Sequence, residues 1–398
     1  MKYFKLEVFY NVLAQTIQLL FPLIILVLAS RSLSPESFLD IASVTYWMAL
    51  QTVVVGFGFE QVITRDIAAG EDNLKFKVFS LVIFCQLVIW FFLLIGSLIY
   101  NSISGIFFNA NMYALIGSLG YALAPPWLIM AIGLNKQILF FGFVVRSAVL
   151  LVLFFISPSI LVYSLLLVSV SSIIAIRFLI VARNHGFVLN AIKLREVVDI
   201  VVPRSKPVAI TFLSKLSVAG YTTIIPLAVT NLANPLAAQL YVASDKIKNI
   251  LQYGVGAVLP VFNRFYLDPK HKSEKLVHYY WFGLGAVVIG VIFLSQLNEL
   301  ILPLIGIPYE GSKFVFTILI ISIIPIYLTN YFGLLKIFYE GNKILFLIPL
   351  LLFGLLSVIF HIAILETFGI SGVALLVFLT EMAICLYYIS VYFWNNRV

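Results

Sequence analysis

Charge is what this sequence has least of. Only 11% of its 398 residues are Asp, Glu, Lys or Arg, and 62% are hydrophobic, where water-soluble chains run about 25% charged and about 45–50% apolar. Too few polar side chains are present to cover a globule of this mass, which excludes a soluble fold and any sizeable soluble catalytic domain. Cysteine is nearly missing. Cys85 and Cys385 both fall inside apolar runs, so neither a disulfide framework nor a cysteine metal cluster is on offer. The four histidines are scattered: His185, His271 and His278 fall in loops and His361 near a span end, with no helical metal-ligand spacing between any two. No Gly-x-x-x-x-Gly-Lys loop occurs, so ATP does not drive the chain directly and no cofactor is expected. Basic loops with interleaved aromatics, long enough to fold, are also lacking, which argues against a nucleic-acid partner.

What remains is a succession of apolar runs of helix length. Twelve spans are expected, near 8–29, 38–58, 78–99, 112–133, 138–156, 160–181, 207–229, 236–261, 280–297, 314–336, 344–364 and 371–393, each about 20 residues as a crossing requires. A strand barrel would need alternating segments of about ten residues, and these runs do not alternate. The amino-terminal run from Val8 to Leu28 exceeds the roughly 7–15 residues of a signal h-region, so this helix is expected to be retained. The fold class is therefore all-α polytopic membrane protein.

Basic residues set the orientation, because Lys and Arg are retained on the cytoplasmic side of helix ends. Seventeen, among them Lys2, Lys75, Lys136, Arg204 and Lys343, fall on one side with the amino terminus; only Arg31 and Lys313 fall on the other. Both termini are expected to be cytoplasmic. The net charge of +8 is mostly this topological charge. The longest interior polar stretch, 183–206, reads as a cytoplasmic linker between six-helix lobes, 1–182 and 207–398. A faint echo supports the division: Ser34-Pro35 and Asn234-Pro235 precede spans two and eight, each followed by Gly-x-Gly, at Gly56 and Gly58 and at Gly254 and Gly256.

Polar side chains inside hydrocarbon are costly and face a bundle interior or a watery cavity. Span one carries Asn11, Gln15 and Gln18 at helical spacing, with Pro22 on the same side. Span two carries Asp40, Ser43, Trp47 and Gln51; span seven carries Thr211, Lys215 and Thr222. For such groups simple helix-to-helix bonding, worth about 0.6 kcal/mol, competes with cavity lining. Span eight is sharper, with Tyr241, Asp245, Lys248 and Gln252 in one stripe. Asp245 follows Pro235 by ten residues, about 15 Å at about 1.5 Å per residue, near the middle of a core of about 30 Å. Lys248 can pair with it at i,i+3; Lys246 points about 100° away and lacks a local partner on the helix. Arg146 in span five and midplane Glu381 in span twelve complete the set. Glu381 either neutralises a buried cation or titrates. Lys215, Lys246, Lys248 and Arg146 thus form a candidate cationic cavity for an anionic, phosphate-bearing cargo, with Asp245, Glu381 and the polar residues above as cavity or coupling groups.

Several segments in order resemble the Wzx-like polysaccharide repeat-unit flippases of the multidrug/oligosaccharidyl-lipid/polysaccharide exporter superfamily. They are Asn11 to Gln18 with Pro22; Arg31-Ser-Leu-Ser-Pro-Glu-Ser-Phe38; Gly56-Phe-Gly-Phe-Glu60 leading to Arg65-Asp66; Pro126-Trp127 leading to Gly133; and Tyr241-Val-Ala-Ser-Asp-Lys-Ile247. Leu39 stands where the family commonly has Gly. The resemblance implies two pseudo-symmetric six-helix lobes around a central cavity. It implies a non-enzymatic flippase that carries an undecaprenyl-pyrophosphate-linked oligosaccharide across a bacterial inner membrane by ion-coupled alternating access, for O-antigen or capsule assembly. Its implied partners are the lipid bilayer, a polysaccharide polymerase and a chain-length regulator. The competing expectations are a drug or small-metabolite antiporter of the same superfamily and, less well supported, a membrane polymerase or glycosyltransferase. The latter would be expected to present a large outward loop bearing catalytic charges, whereas the 298–313 loop is short and mostly apolar.

Overall fold

A computed structural model describes residues 20–59, 62, 72–104, 110–124, 135–153, 155–156, 159–187, 198, 201–267, 274–304, 312–339 and 342–395. Among them all regular structure is helical, and twelve helical stretches fall on the twelve expected spans. They are α1 (Leu20–Ser32), α2 (Pro35–Gly56), α3 (Asp72–Ser104), α4 (Ala110–Leu123), α5 (Asn135–Leu153), α6 (Ile160–Asn184), α7 (Val202–Leu232), α8 (Pro235–Leu267), α9 (Glu274–Gln296) and α10 (Lys313–Phe338). The last two, α11 (343–368) and α12 (370–395), run on from one another across a kink at Gly369.

Local chemistry sets the helix ends. Pro35 and Pro235 open α2 and α8, where a missing N–H costs nothing and φ is preset. The residue before each takes part in its cap. Ser34 Oγ accepts from the Ser37 N–H at 3.4 Å, and Asn234 Oδ1 accepts from the Leu236 N–H at 3.1 Å. The Ser/Asn-Pro echo in the sequence is thus a repeated helix start. Ser159 caps α6 by accepting from Val162 N–H.

Six stretches are long and apolar enough to cross a membrane: Pro35–Gly56, Val78–Ile103, Ile160–Asn184, Val202–Leu232, Lys313–Phe338 and Lys343–Asn395, the last holding both α11 and α12. Outward faces are as apolar as the interior. Phe92 on α3 and Ile289 on α9 are 67% and 70% exposed, which water would penalise and lipid would not. The chain is a multi-pass membrane protein.

Packing divides the chain into two compact units, Asp40–Ala219 and Met1–Leu39 with Gly220–Val398. Within the first, α4 lies against α3 and α6, and α5 against α6. Phe79, Val82, Phe178, Val181 and Val208 belong to a shared apolar cluster. The chain leaves α2 through two residues of positive φ, Phe57 (43°) and Gly58 (73°). This turn presses on α7: a Cβ at Gly58 would stand 2.5 Å from the Val208 carbonyl oxygen and 2.7 Å from the Phe212 nitrogen. Phe57 stacks on Phe212 with ring centroids 4.7 Å apart.

Within the second unit, α12 buries Val373, Ala374, Val377, Thr380, Glu381, Ile384, Cys385 and Tyr388. That spacing of three and four makes one continuous helical face. Two neighbouring helices depart from α geometry, through π segments at Gly220–Ile224 in α7 and Asn330–Tyr339 at the end of α10. Such segments insert a residue into the helical count and recur at functional sites. Both pack against the Lys343–Asn395 helix pair.

Candidate functional site

The stripe expected on α8 is interior. Tyr241 and Asp245 are fully buried and Lys248 is 1% exposed, while Lys246, Asn249 and Gln252 are half-buried. Asp245 is the centre of this group. Its Oδ1 accepts from Lys248 Nζ at 2.7 Å, the i,i+3 pair that the spacing allows, and its Oδ2 accepts from Asn249 Nδ2 at 2.8 Å. Two short bonds from one helix engage both carboxylate oxygens, the kind of additional bonding that a buried ion pair needs to offset its desolvation. Lys246 does not lack a partner, contrary to the sequence expectation: the Asp245 charge reaches it as well. Tyr241 Oη and Ser244 Oγ, both buried, make no hydrogen bond among the described residues.

Glu381 joins this group from α12, at 3% exposure. The Tyr221 hydroxyl hydrogen-bonds its carboxylate, and the Lys248 ammonium acts on it electrostatically. Of the two roles open to Glu381 in the sequence, both remain chemically available here, since it faces a buried cation that a second carboxylate already holds. Tyr388, two helical turns further along α12, donates to the Phe346 carbonyl at 2.5 Å and stacks on the Phe346 ring, which fixes α12 against α11.

Sequence reasoning missed Tyr221. It placed Thr222 on the polar face by counting 3.6 residues per turn from Thr211 and Lys215. The π segment begins at Gly220 and shifts that count, so Tyr221 is 2% exposed while Thr222 is only half-buried. The Gly-Tyr-Thr-Thr run just before Pro226 was the available signal, because β-branched residues ahead of a proline strain α geometry.

The remaining candidates lie in the other unit or outside the described residues. Gln51 on α2 is 4% exposed and works as a tie between helices. Its Nε2 donates to the Asn111 carbonyl at 3.1 Å and to Asn111 Oδ1 at 2.6 Å, and Asn111 Nδ2 donates to Ser97 Oγ at 3.1 Å. Three helices, α2, α4 and α3, are joined by this chain; Asn111 and Ser97 were not singled out from sequence, because isolated polar residues in apolar runs carry no periodic signal. Arg146 on α5 and Lys215 on α7 are half-buried, Lys215 within the membrane-length stretch Val202–Leu232 and Arg146 within the shorter apolar stretch Phe140–Leu153; Asp40 on α2 is exposed. Arg146 folds back along α5, its guanidinium 2.7 Å from where a Cβ at Gly142 would be. Asn11, Gln15 and Gln18 lie outside the described residues. The structure therefore brings together Tyr241, Asp245, Lys246, Lys248 and Glu381, and adds Tyr221 and Asn249.

The fold of the chain is similar to that of solved transporters. The chain is similar to a lipid II flippase, MurJ, in an inward closed conformation, with TM-score 0.65 and 13% identity over 98% of this chain and 87% of that one. It is also similar to a multidrug resistance MATE family transporter of the MOP superfamily. In the inward-facing conformation the TM-score is 0.62 and identity 16%, over 96% of this chain and 94% of that one. In the outward-facing conformation the values are 0.61 and 15%, over 98% and 94%. No protein-family profile matches the sequence, and no curated protein does.

Proposed function

We propose that the chain is a flippase that moves a polyprenyl-pyrophosphate-linked oligosaccharide repeat unit from the cytoplasmic to the outer leaflet of a bacterial inner membrane, by alternating access. O-antigen or capsule assembly would use its product. The observation that carries this reading is the retention of basic side chains at membrane depth, in a fold shared with a lipid II flippase. A cation inside a span costs about 2.5–3.5 kcal/mol. An anionic head group recovers that cost through charge-assisted hydrogen bonds. Lys248 is held by Asp245; Lys215 and Arg146 in one unit and Lys246 in the other, all half-buried, are the candidates for drawing in a pyrophosphate. The polyprenyl tail needs no protein cavity, because the outward faces already border lipid. Aromatics such as Trp281, 44% exposed, suit the interfacial level at which a sugar head group enters.

A second reading, antiport of drugs or small metabolites, draws on the likeness to the MATE transporter. It does not account for three intramembrane basic residues, since a cationic drug would be repelled by them.

The deciding experiment follows polyprenyl-pyrophosphate-linked oligosaccharide across proteoliposomes containing the purified chain. We expect flipping by the wild type and a loss of roughly 10- to 150-fold in each of Lys215→Ala and Lys246→Ala, the effect of removing one charge-assisted hydrogen bond worth about 1.5–3 kcal/mol. Full flipping in the double variant would overturn the cationic-site assignment. Movement of a cationic drug in place of the lipid-linked sugar would favour the second reading.

A further inference from the structure

Helices α5 and α6 pack against each other, and each carries an arginine inside its apolar stretch. Arg177 lies seven residues before the end of α6 at Asn184, and Phe141 six residues into α5, so both stand about 10 Å from that end of the helix pair. The levels match: the Arg177 guanidinium lies over the Phe141 ring, 5.6 Å from its centroid. Arg146, one turn beyond, runs its side chain back toward the start of α5, as helical side chains do. Its Nη1 rests 2.7 Å from where a Cβ at Gly142 would stand, and Ile174 of α6 reaches within 3.4 Å of the same point. Phe141 and Gly142 are adjacent, so two cations from two helices converge on one turn.

No carboxylate answers them. Neither guanidinium has an ion pair or a hydrogen bond among the described residues. The Phe141 ring takes only the flat face of Arg177, by attraction between cation and ring, which leaves the N–H edges of that planar fork available. The surroundings are those of a lipid-facing surface. Phe140 and Val144 on α5 and Ile176 and Ile180 on α6 are exposed, and Arg177 is exposed among them. A cation in such a place is costly until an anion meets it, and an anion that reaches this face comes from the bilayer.

We infer that Arg146 and Arg177 form a binding site, on the membrane face of α5 and α6, for the phosphate of an anionic phospholipid. The phosphodiester accepts from the N–H edges of both guanidinium groups, in charge-assisted bonds whose fork geometry suits it. The acyl chains lie along the exposed apolar side chains. Net negative charge selects the lipid, because a zwitterionic head group brings its own cation to a place that already holds two. Gly142 leaves the space in which the Arg146 guanidinium rests. The site lies within the unit Asp40–Ala219 alone and does not depend on the flippase reading.

Native mass spectrometry of the purified full-length chain in neutral detergent, titrated with phosphatidylglycerol or with phosphatidylcholine of the same acyl chains, tests the site. We expect the wild type to retain phosphatidylglycerol in preference. Arg146→Gln and Arg177→Gln should each lower that affinity roughly five- to tenfold and leave phosphatidylcholine unaffected. Gly142→Ala keeps every charge and displaces only the far end of the Arg146 side chain; it should also weaken phosphatidylglycerol, and it keeps the test sharp if the charge variants do not fold. Equal retention of the two lipids by the wild type would overturn the assignment. So would a phosphatidylglycerol affinity unmoved in both arginine variants, which would put the lipid on other cations, or one unmoved in Gly142→Ala. Displacement of the lipid by equimolar inorganic phosphate would make this a free-anion site. Displacement by polyprenyl-pyrophosphate-linked oligosaccharide in preference to phosphatidylglycerol would hand the arginines to the cargo, and either result overturns the phospholipid assignment.

Discussion

At the scale of single residues, Lys248 is more consequential for stability than its place on a stripe indicates. It is 1% exposed and forms a short ion pair with a fully buried carboxylate. Removing one partner of such a pair strands the other, a cost of about 3–5 kcal/mol. Lys248→Ala is therefore expected to lower the thermal unfolding midpoint strongly in detergent, and adding Asp245→Asn to recover part of the loss. An additive double variant would show that the two residues are not coupled. Gly58 offers a backbone counterpart. Its φ of 73° suits glycine, and any Cβ would meet the Val208 carbonyl and the Phe212 nitrogen. Gly58→Ala should destabilise by more than about 1 kcal/mol, since it violates both the conformation and the space, as a fluorescence melt would show.

At the scale of elements, the kink between α11 and α12 is carried by Gly369, with φ 62° and ψ −158°. Only glycine populates that region readily, and the strain for another residue is about 1–3 kcal/mol. No atom lies within 4 Å of the position a Cβ would take there. Gly369→Ala is thus a pure backbone test: a drop in melting temperature of that size is expected without any packing defect, and an unchanged melt would place the turn elsewhere. The helices themselves were largely legible in the sequence because hydrocarbon length and apolar continuity are strong signals; α2, α6 and α9 start or stop within a few residues of their expected bounds. The Asp245–Lys248 pair was legible for the same reason, since i,i+3 geometry needs only one helix. What could not be read was any contact that depends on a break in helical count. Tyr221 meets Glu381 because the five-residue π segment turns it there, and Asn111 meets Gln51 across 60 residues of sequence that no periodicity links.

At the scale of the whole molecule, the asymmetry of basic residues predicts sidedness. Single-cysteine variants at Lys343 and Lys313, in a chain with Cys85 and Cys385 replaced by Ser or Ala, should react with a membrane-impermeant thiol reagent from opposite faces of oriented vesicles, Lys343 from the cytoplasmic face. Labelling of both from one face would overturn the expected topology. The same molecule must also be threaded into a bilayer segment by segment before any of its tertiary contacts exist. Asp245 and Lys248 ride one helix, so α8 can enter as a locally neutralised segment while still alone, sparing part of the roughly 2.5–3.5 kcal/mol that each bare charge adds at a helix centre during insertion. Glu381 enters on α12, which is made after α7 and α8, and the Tyr221 hydroxyl and Lys248 ammonium that act on it are carried by those earlier helices. When α12 emerges, Tyr221 and Lys248 are already in the membrane, and the order of synthesis delivers the acid to partners that are waiting for it.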